Sequence, residues 1–235
     1  MKVILFDLDG TLLPMDQDEF VKAYFGLLAK KLSAFGYEPE KLIQSIWMGT
    51  KAMITNDGSK TNEEAFWDLF KNIYGEDVIN DQDKFEDFYK NEFQMVKKVC
   101  GFDEKANRLI KYLKSQNYKL ILATNPIFPA IATKSRIKWA GLDESDFDYV
   151  TTYENSCFCK PNLKYYMEIL EIHNIDPTEC LMVGNDVTED MVTKNLGMKV
   201  FLLTKDLINK NNEDINNYPN GDYDDLKQFI DSIKK

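Results

Sequence analysis

The stretch "VILFDLDGTL", Val3–Leu12, decides how the rest of the chain is read. Four apolar residues, Val3–Phe6, fit a strand buried on both faces, and such strands belong to parallel sheets covered by helices. The run ends on two aspartates one residue apart, followed at once by Gly10. In an extended strand side chains alternate, so Asp7 and Asp9 are expected on one side. Two carboxylates that close cost free energy unless a cation, a proton or water compensates them.

Four further apolar runs resemble the first: Leu120–Ala123, Phe147–Val150, Cys180–Val183 and Val200–Leu203. Helical periodicity falls before or between them at Glu104–Ser115, Ile131–Trp139, Lys164–Ile172 and Glu189–Leu196. Strand and helix alternating in this way predict an α/β, doubly wound, mainly parallel Rossmann-like sheet. The gap between the first two strands is too long for a simple crossover. It carries two helical stripes, Phe20 to Leu32 and Phe66 to Tyr74, which predict an inserted α-helical domain at residues 16–100. The sheet domain is then 1–15 and 101–235. "INKNNEDINNYPNGD", residues 208–222, reads as a polar loop, and "DYDDLKQFIDSIKK", residues 222–235, as a capped terminal helix.

At 235 residues and 44% hydrophobic the chain can bury a substantial core. Its net charge of −10 and the lack of any Lys/Arg block argue against nucleic acid as a partner. No apolar run reaches membrane-span length, and Asp7 interrupts the first strand too early for a signal peptide, so the expectation is no membrane and a cytoplasmic location. Cys157 and Cys159 look like a metal-site fragment, but no second Cys or His pair stands at zinc spacing, so they are expected to be small packing residues. The single histidine, His173, lies in a helical stretch where packing is its expected role.

Ligands of open α/β sheets bind beyond the carboxyl ends of the strands. There the sequence offers Asp7 and Asp9 after the first strand, Thr124 and Asn125 after the second, and Asp186 after the fourth, with Asp190 four residues on. Each alone is explained by a turn or a helix cap. Together they form an oxygen-rich set that suits magnesium, a cation that commonly bridges to substrate phosphate.

With these residues in order, the chain resembles the haloacid dehalogenase-like superfamily, chiefly its aspartyl-nucleophile phosphatases. The motifs are "DLDGT" (Asp7–Thr11), "LATN" (Leu122–Asn125), "CKP" (Cys159–Pro161) and "GNDVTED" (Gly184–Asp190). The resemblance implies Asp7 as nucleophile and Asp9 as general acid and base. Mg2+ would be held by Asp7, the Asp9 main-chain carbonyl and Asp186, with Asp190 orienting that shell or Lys160. Thr124, the backbone after it and Lys160 would hold phosphoryl oxygens, with Asn125 beside them. Dehalogenases of the superfamily lack the second aspartate, so Asp9 favours phosphoryl transfer. Pro126 is a departure, because it removes a backbone N–H beside the second motif. The inserted helices resemble a cap between the first two motifs, with a site-facing loop expected within residues 47–62 and Lys51 as the candidate contact for an anionic substrate group. The expected function is an Mg2+-dependent phosphatase of a small phosphorylated metabolite. The alternatives are a phosphosugar mutase using the same chemistry and a non-catalytic binding protein that retains the fold.

Overall fold

Strand β1 (Val3–Phe6) is wholly buried and lies between β2 (Lys119–Leu122) and β4 (Cys180–Gly184), in parallel register with both. The computed structural model describes residues 1–233; Lys234 and Lys235, the end of the expected terminal helix, lie outside the described residues. Three more strands complete the sheet: β3 (Tyr149–Val150), β5 (Lys199–Leu203) and β6 (Asn220–Gly221). Their order is β3-β2-β1-β4-β5-β6, and each neighbouring pair is parallel.

Strand alternation sorts the core into two layers. Ile4, Phe6, Leu120 and Leu122 face a layer with α5 (Glu104–Ser115), α6 (Ala130–Trp139) and α8 (Tyr223–Ser232). Val3, Leu5, Ile121 and Met182 face the other, where α7 (Leu163–His173) contributes Tyr165, Tyr166 and Ile169. Helices on both faces give the doubly wound α/β architecture. The sixth strand escapes sequence reading because Asn220-Gly221 carries no apolar pattern; it pairs with Leu202 and Leu203 through backbone alone.

Between β1 and α5 the chain builds α1 (Gln17–Ser33), α2 (Pro39–Ile54), α3 (Asn62–Tyr74) and α4 (Gln82–Lys90), with 3-10 turns at Glu76–Asp81 and Glu92–Val99. Local signals set the ends. The Asp16 side chain caps α1 by accepting from Glu19 N, and Thr61 and Glu64 form a reciprocal capping box at α3. Where the sequence predicts a site-facing loop within 47–62, residues 47–54 are instead the end of α2, because Ile46 and Met53 continue its buried stripe. The two connections of this insertion run side by side: Met15 and Cys100 form an antiparallel bridge, and Gly101 N donates to Pro14 O at 2.7 Å.

Phe93 joins the insertion to the sheet layer. It is fully buried and meets Phe20, Tyr24, Phe88 and Tyr89 on one side and Phe128 and Trp139 on the other. Phe93→Ala is therefore expected to destabilise by about 3–5 kcal/mol in urea unfolding. Ile172→Ala, at a residue that is 54% exposed, should stay within about 0.5 kcal/mol of the parent.

Candidate active site

The sheet delivers its polar residues to one edge. Asp7 follows the last residue of β1, and its N–H donates to Val183 O at 2.9 Å, which holds it beside the end of β4. The chain then turns: Leu13 N donates to Leu8 O, and Gly10 N to Leu13 O, both at 2.8 Å. Gly10 has φ +80° and sits so close to the Asn185 amide that a Cβ would lie 2.2 Å from its Nδ2, so both the turn and the approach need glycine. Asn185 Oδ1 in turn accepts from the Thr11 hydroxyl at 3.0 Å. The loops after β1 and β4 are thereby locked together.

Lys160 is the centre of the arrangement. Its ammonium is 2.7 Å from Asp7 Oδ1 and 2.7 Å from Asp190 Oδ1, and the residue is only 2% exposed. Burial alone pushes the amine down, but the Asp190 and Asp7 carboxylates outweigh it and hold Lys160 above its ordinary value. Burial likewise raises Asp190, with Lys160 opposing. The other Asp190 oxygen accepts from Asp186 N at 3.0 Å, and the carboxylate packs on Gly184, where a Cβ would lie 2.0 Å away.

The helix expected at Glu189–Leu196 does not begin at once. Asp186 Oδ1 accepts from Thr188 N (2.7 Å) and Glu189 N (2.9 Å), and the Asp190 carboxylate reaches back to Asp186 N, so side chains reinforce the turn that Asp190 N closes by donating to Asp186 O at 3.0 Å. A 3-10 helix follows at Met191–Leu196 and stops at Gly197.

Asp7 and Asp9 part company. The strand ends at Phe6, so period-2 alternation does not carry through to Asp9, which pairs with Arg136 of α6 while Asp7 pairs with Lys160. Burial raises Asp9 above the ordinary carboxylate range; Arg136 opposes this, and the charge of Asp7 adds to it. Arg136 is absent from the sequence-level candidates, although its place between Ala132 and Ala140 at i,i+4 spacing puts it on the buried face of α6.

Thr124 is 2% exposed, and its carbonyl accepts from Thr151 Oγ1 at 2.7 Å and from the Tyr165 hydroxyl at 2.8 Å. Asn125 links two motif loops, accepting from Lys160 N at 3.3 Å and donating to Glu189 Oε2 at 3.2 Å. Lys51 lies exposed in the last turn of α2, and among the described residues no ion pair joins it to this group. His173 sits at the far end of the sheet, 3.1 Å from Lys119 Nζ and against the Tyr149 ring, as a packing residue would.

Among the described residues no three His, Cys, Asp or Glu side chains stand together as a metal cluster. Burial pushes the Cys157 thiol up to about 11 and Cys159 up to about 12, so these are protonated packing thiols. A cavity of about 60 Å3 lies between the insertion and the sheet layer, walled by Tyr24, Phe66, Trp67, Tyr89, Phe128 and Tyr153 among others. A larger one, about 360 Å3, opens on the other side of Gly10 and Thr11, where Lys105 and Lys205 are already paired with Asp224 and Asp103. No described helix is long and apolar enough to cross a membrane.

The family model for haloacid dehalogenase-like hydrolases matches residues 4–203, and the chain belongs to that family of enzymes. It is 27% identical over 221 residues to the glyceraldehyde 3-phosphate phosphatase of Methanothermobacter thermautotrophicus, covering 88% of this chain and 87% of the relative. Among solved structures, a haloacid dehalogenase-like phosphatase from Thermococcus onnurineus superposes with TM-score 0.58 at 20% identity, over 98% of both chains. The hydrolase YfnB of Bacillus subtilis, solved bound to magnesium, superposes with TM-score 0.55 at 18% identity, over 97% of this chain and 98% of its own. At such identities the two structures speak to the fold.

Removing the cation between two buried carboxylates leaves uncompensated charge. In the presence of a chelator, Lys160→Met is expected to lose about 3–5 kcal/mol of stability. Adding Asp190→Asn to that variant should recover at least about 1 kcal/mol relative to the sum of the single changes, a coupling that denaturant unfolding of all four proteins measures.

Proposed function

We propose that the protein is a magnesium-dependent phosphatase that hydrolyses a small phosphorylated metabolite through an aspartyl-phosphate on Asp7. The observation that carries this reading is the buried Lys160 ammonium, which bridges Asp7 at the end of β1 and Asp190 beyond the end of β4. It supports a carboxylate positioned to attack and a cation beside it to offset phosphoryl charge. The relative named as a glyceraldehyde 3-phosphate phosphatase points to the same class of reaction and of substrate.

An Asp7 oxygen forms a bond to phosphorus as the bond to the leaving oxygen breaks, and Asp9 gives its proton to that oxygen. Asp9 then takes a proton from water, whose oxygen attacks the same phosphorus and releases Asp7 and phosphate. Burial of Asp9 favours the protonated form that the first step needs. Thr124 and Lys160 hold the phosphoryl oxygens, and Asn125 ties their two loops together. The inserted helices cover the leaving group and exclude water.

The donor set fits a hard divalent cation. Asp7, Asp186 and the Asp9 carbonyl offer only oxygen, and both backbone bonds to Asp186 fall on a single oxygen, Oδ1. When bound, magnesium supplies charge compensation between these carboxylates and the phosphoryl group.

Asp7→Asn should abolish release of inorganic phosphate from a panel of phosphorylated metabolites while the protein still folds and melts in a cooperative transition. Phosphate released to solution, rather than moved within a sugar, separates a phosphatase from a mutase. Magnesium at about 100 times its dissociation constant stabilises by roughly 2.7 kcal/mol, so the midpoint should rise by roughly 5–10 °C. Asp186→Ala should remove most of that rise. Equal midpoints with chelator and with magnesium, together with metal-independent turnover, would overturn the assignment.

A further inference from the structure

Arg136 is a buried cation that the reaction described above does not use. It sits in the last turn of α6 with 1% of its surface exposed, and arginine is seldom buried to that degree unless paired. Nη1 donates to Asp9 Oδ2, Nη2 donates to Thr133 Oγ1 at 3.2 Å, and the guanidinium lies 4.5 Å from the centre of the Phe128 ring. Thr133 is one helical turn back, and Phe128 precedes the Pro129 cap of the helix, so α6 and its approach hold the guanidinium on two sides, while Nε is buried without a partner among the described residues.

Asp9 is held differently. It stands in a turn beyond β1, and among the described residues Arg136 is the one hydrogen-bond partner of its carboxylate. Oδ2 takes the guanidinium, while Oδ1 is buried with no partner. One oxygen is thus anchored, and the other is left to exchange a proton. An interior ion pair is a poor stabilising device, since apolar residues of similar volume often do as well or better, so its presence here calls for an explanation in terms of placement. A catalytic carboxyl needs its rotamer locked by a rigid neighbour, and Asp9 has no other neighbour of that kind.

We infer that Arg136 is a positioning residue, whose guanidinium holds Oδ2 of Asp9 so that Oδ1 faces the leaving oxygen. This rests on the role of Asp9 in the proposed phosphatase reaction. It implies that Arg136 matters in proportion to how much the leaving group needs a proton.

Two probes of similar shape separate the possibilities. p-Nitrophenyl phosphate releases an anion that departs without protonation, whereas phenyl phosphate has a leaving group that needs the acid. With magnesium present, Arg136→Met should lower kcat/KM by about 100-fold or more on phenyl phosphate and by less than about 5-fold on p-nitrophenyl phosphate. Asp9→Asn should show the same bias, and the double variant should be no worse than Asp9→Asn alone, because the two residues act as one unit. If Arg136→Met does not fold, Thr133→Val, which removes the Nη2 partner, should show a smaller loss with the same bias. Equal losses on both esters, or losses that multiply in the double variant, would overturn the inference while leaving the phosphatase assignment standing. A parent enzyme that releases phosphate neither from these esters nor from any metabolite of the panel would bring down that assignment and this inference with it.

Discussion

The contact between one buried ammonium and two carboxylates organises this molecule. Lys160 lies between Asp7 and Asp190, which leave adjacent strands of the sheet, and neither acid could be buried at so small a separation without it. The local geometry follows from this pairing. Asp190 must reach inward, so the chain after β4 forms a turn before any helix, and Gly184 must lack a side chain to admit the carboxylate. Asn125 accepts from the backbone of Lys160, which couples the loop after β2 to the same lysine. Stability and chemistry are therefore set by the same few atoms.

The two aspartates of the first motif illustrate how like charges are kept close. A carboxylate pair needs compensation, and the fold supplies it from opposite sides, with a lysine on the α7 side of the sheet and an arginine from α6 on the other. The separation has a chemical consequence. Asp7 is paired with a cation that also suits phosphoryl oxygens, whereas Asp9 keeps one buried oxygen without a partner. The reaction proposed above asks one of these carboxylates to attack and the other to donate a proton, and two environments can favour both where a single one could not.

Much of this was legible before the structure. Val3–Phe6, Leu120–Leu122 and Cys180–Val183 are buried strands because nothing in them is polar enough to face water, and their ends identify the edge where Asp7, Thr124 and Asp186 gather. What stayed hidden has physical reasons. The Asn220–Gly221 strand is too short and too polar to leave a hydrophobic pattern. The turn at residues 187–190 is closed by Asp190 N donating to Asp186 O at 3.0 Å and braced by side chains bonding to backbone, bonds that helical periodicity does not record. Arg136 reads as one of several basic residues in its helix, and only the Ala132 and Ala140 positions around it indicate that it points inward.

The insertion belongs to the same argument, because it is fastened where the site loops lie. Asn62, fully buried at the first turn of α3, donates to the carbonyls of Pro126 and Phe158 at 3.2 and 3.3 Å, and its own N–H donates to Ser156 O at 2.9 Å. Glu63 N adds a bond to Tyr153 O at 2.8 Å. Pro126 directly follows Thr124-Asn125, and Phe158 and Cys159 directly precede Lys160. A buried amide without its partners costs about 1–3 kcal/mol, so any separation of the insertion from the sheet must break this group and rehydrate it. Pro126, which gives no N–H to a phosphate, here gives its carbonyl to Asn62. The loop after β2 thus bonds to the backbone of Lys160 on one side and to the insertion on the other, so the same few residues fasten the helices and fix the ends of the strands.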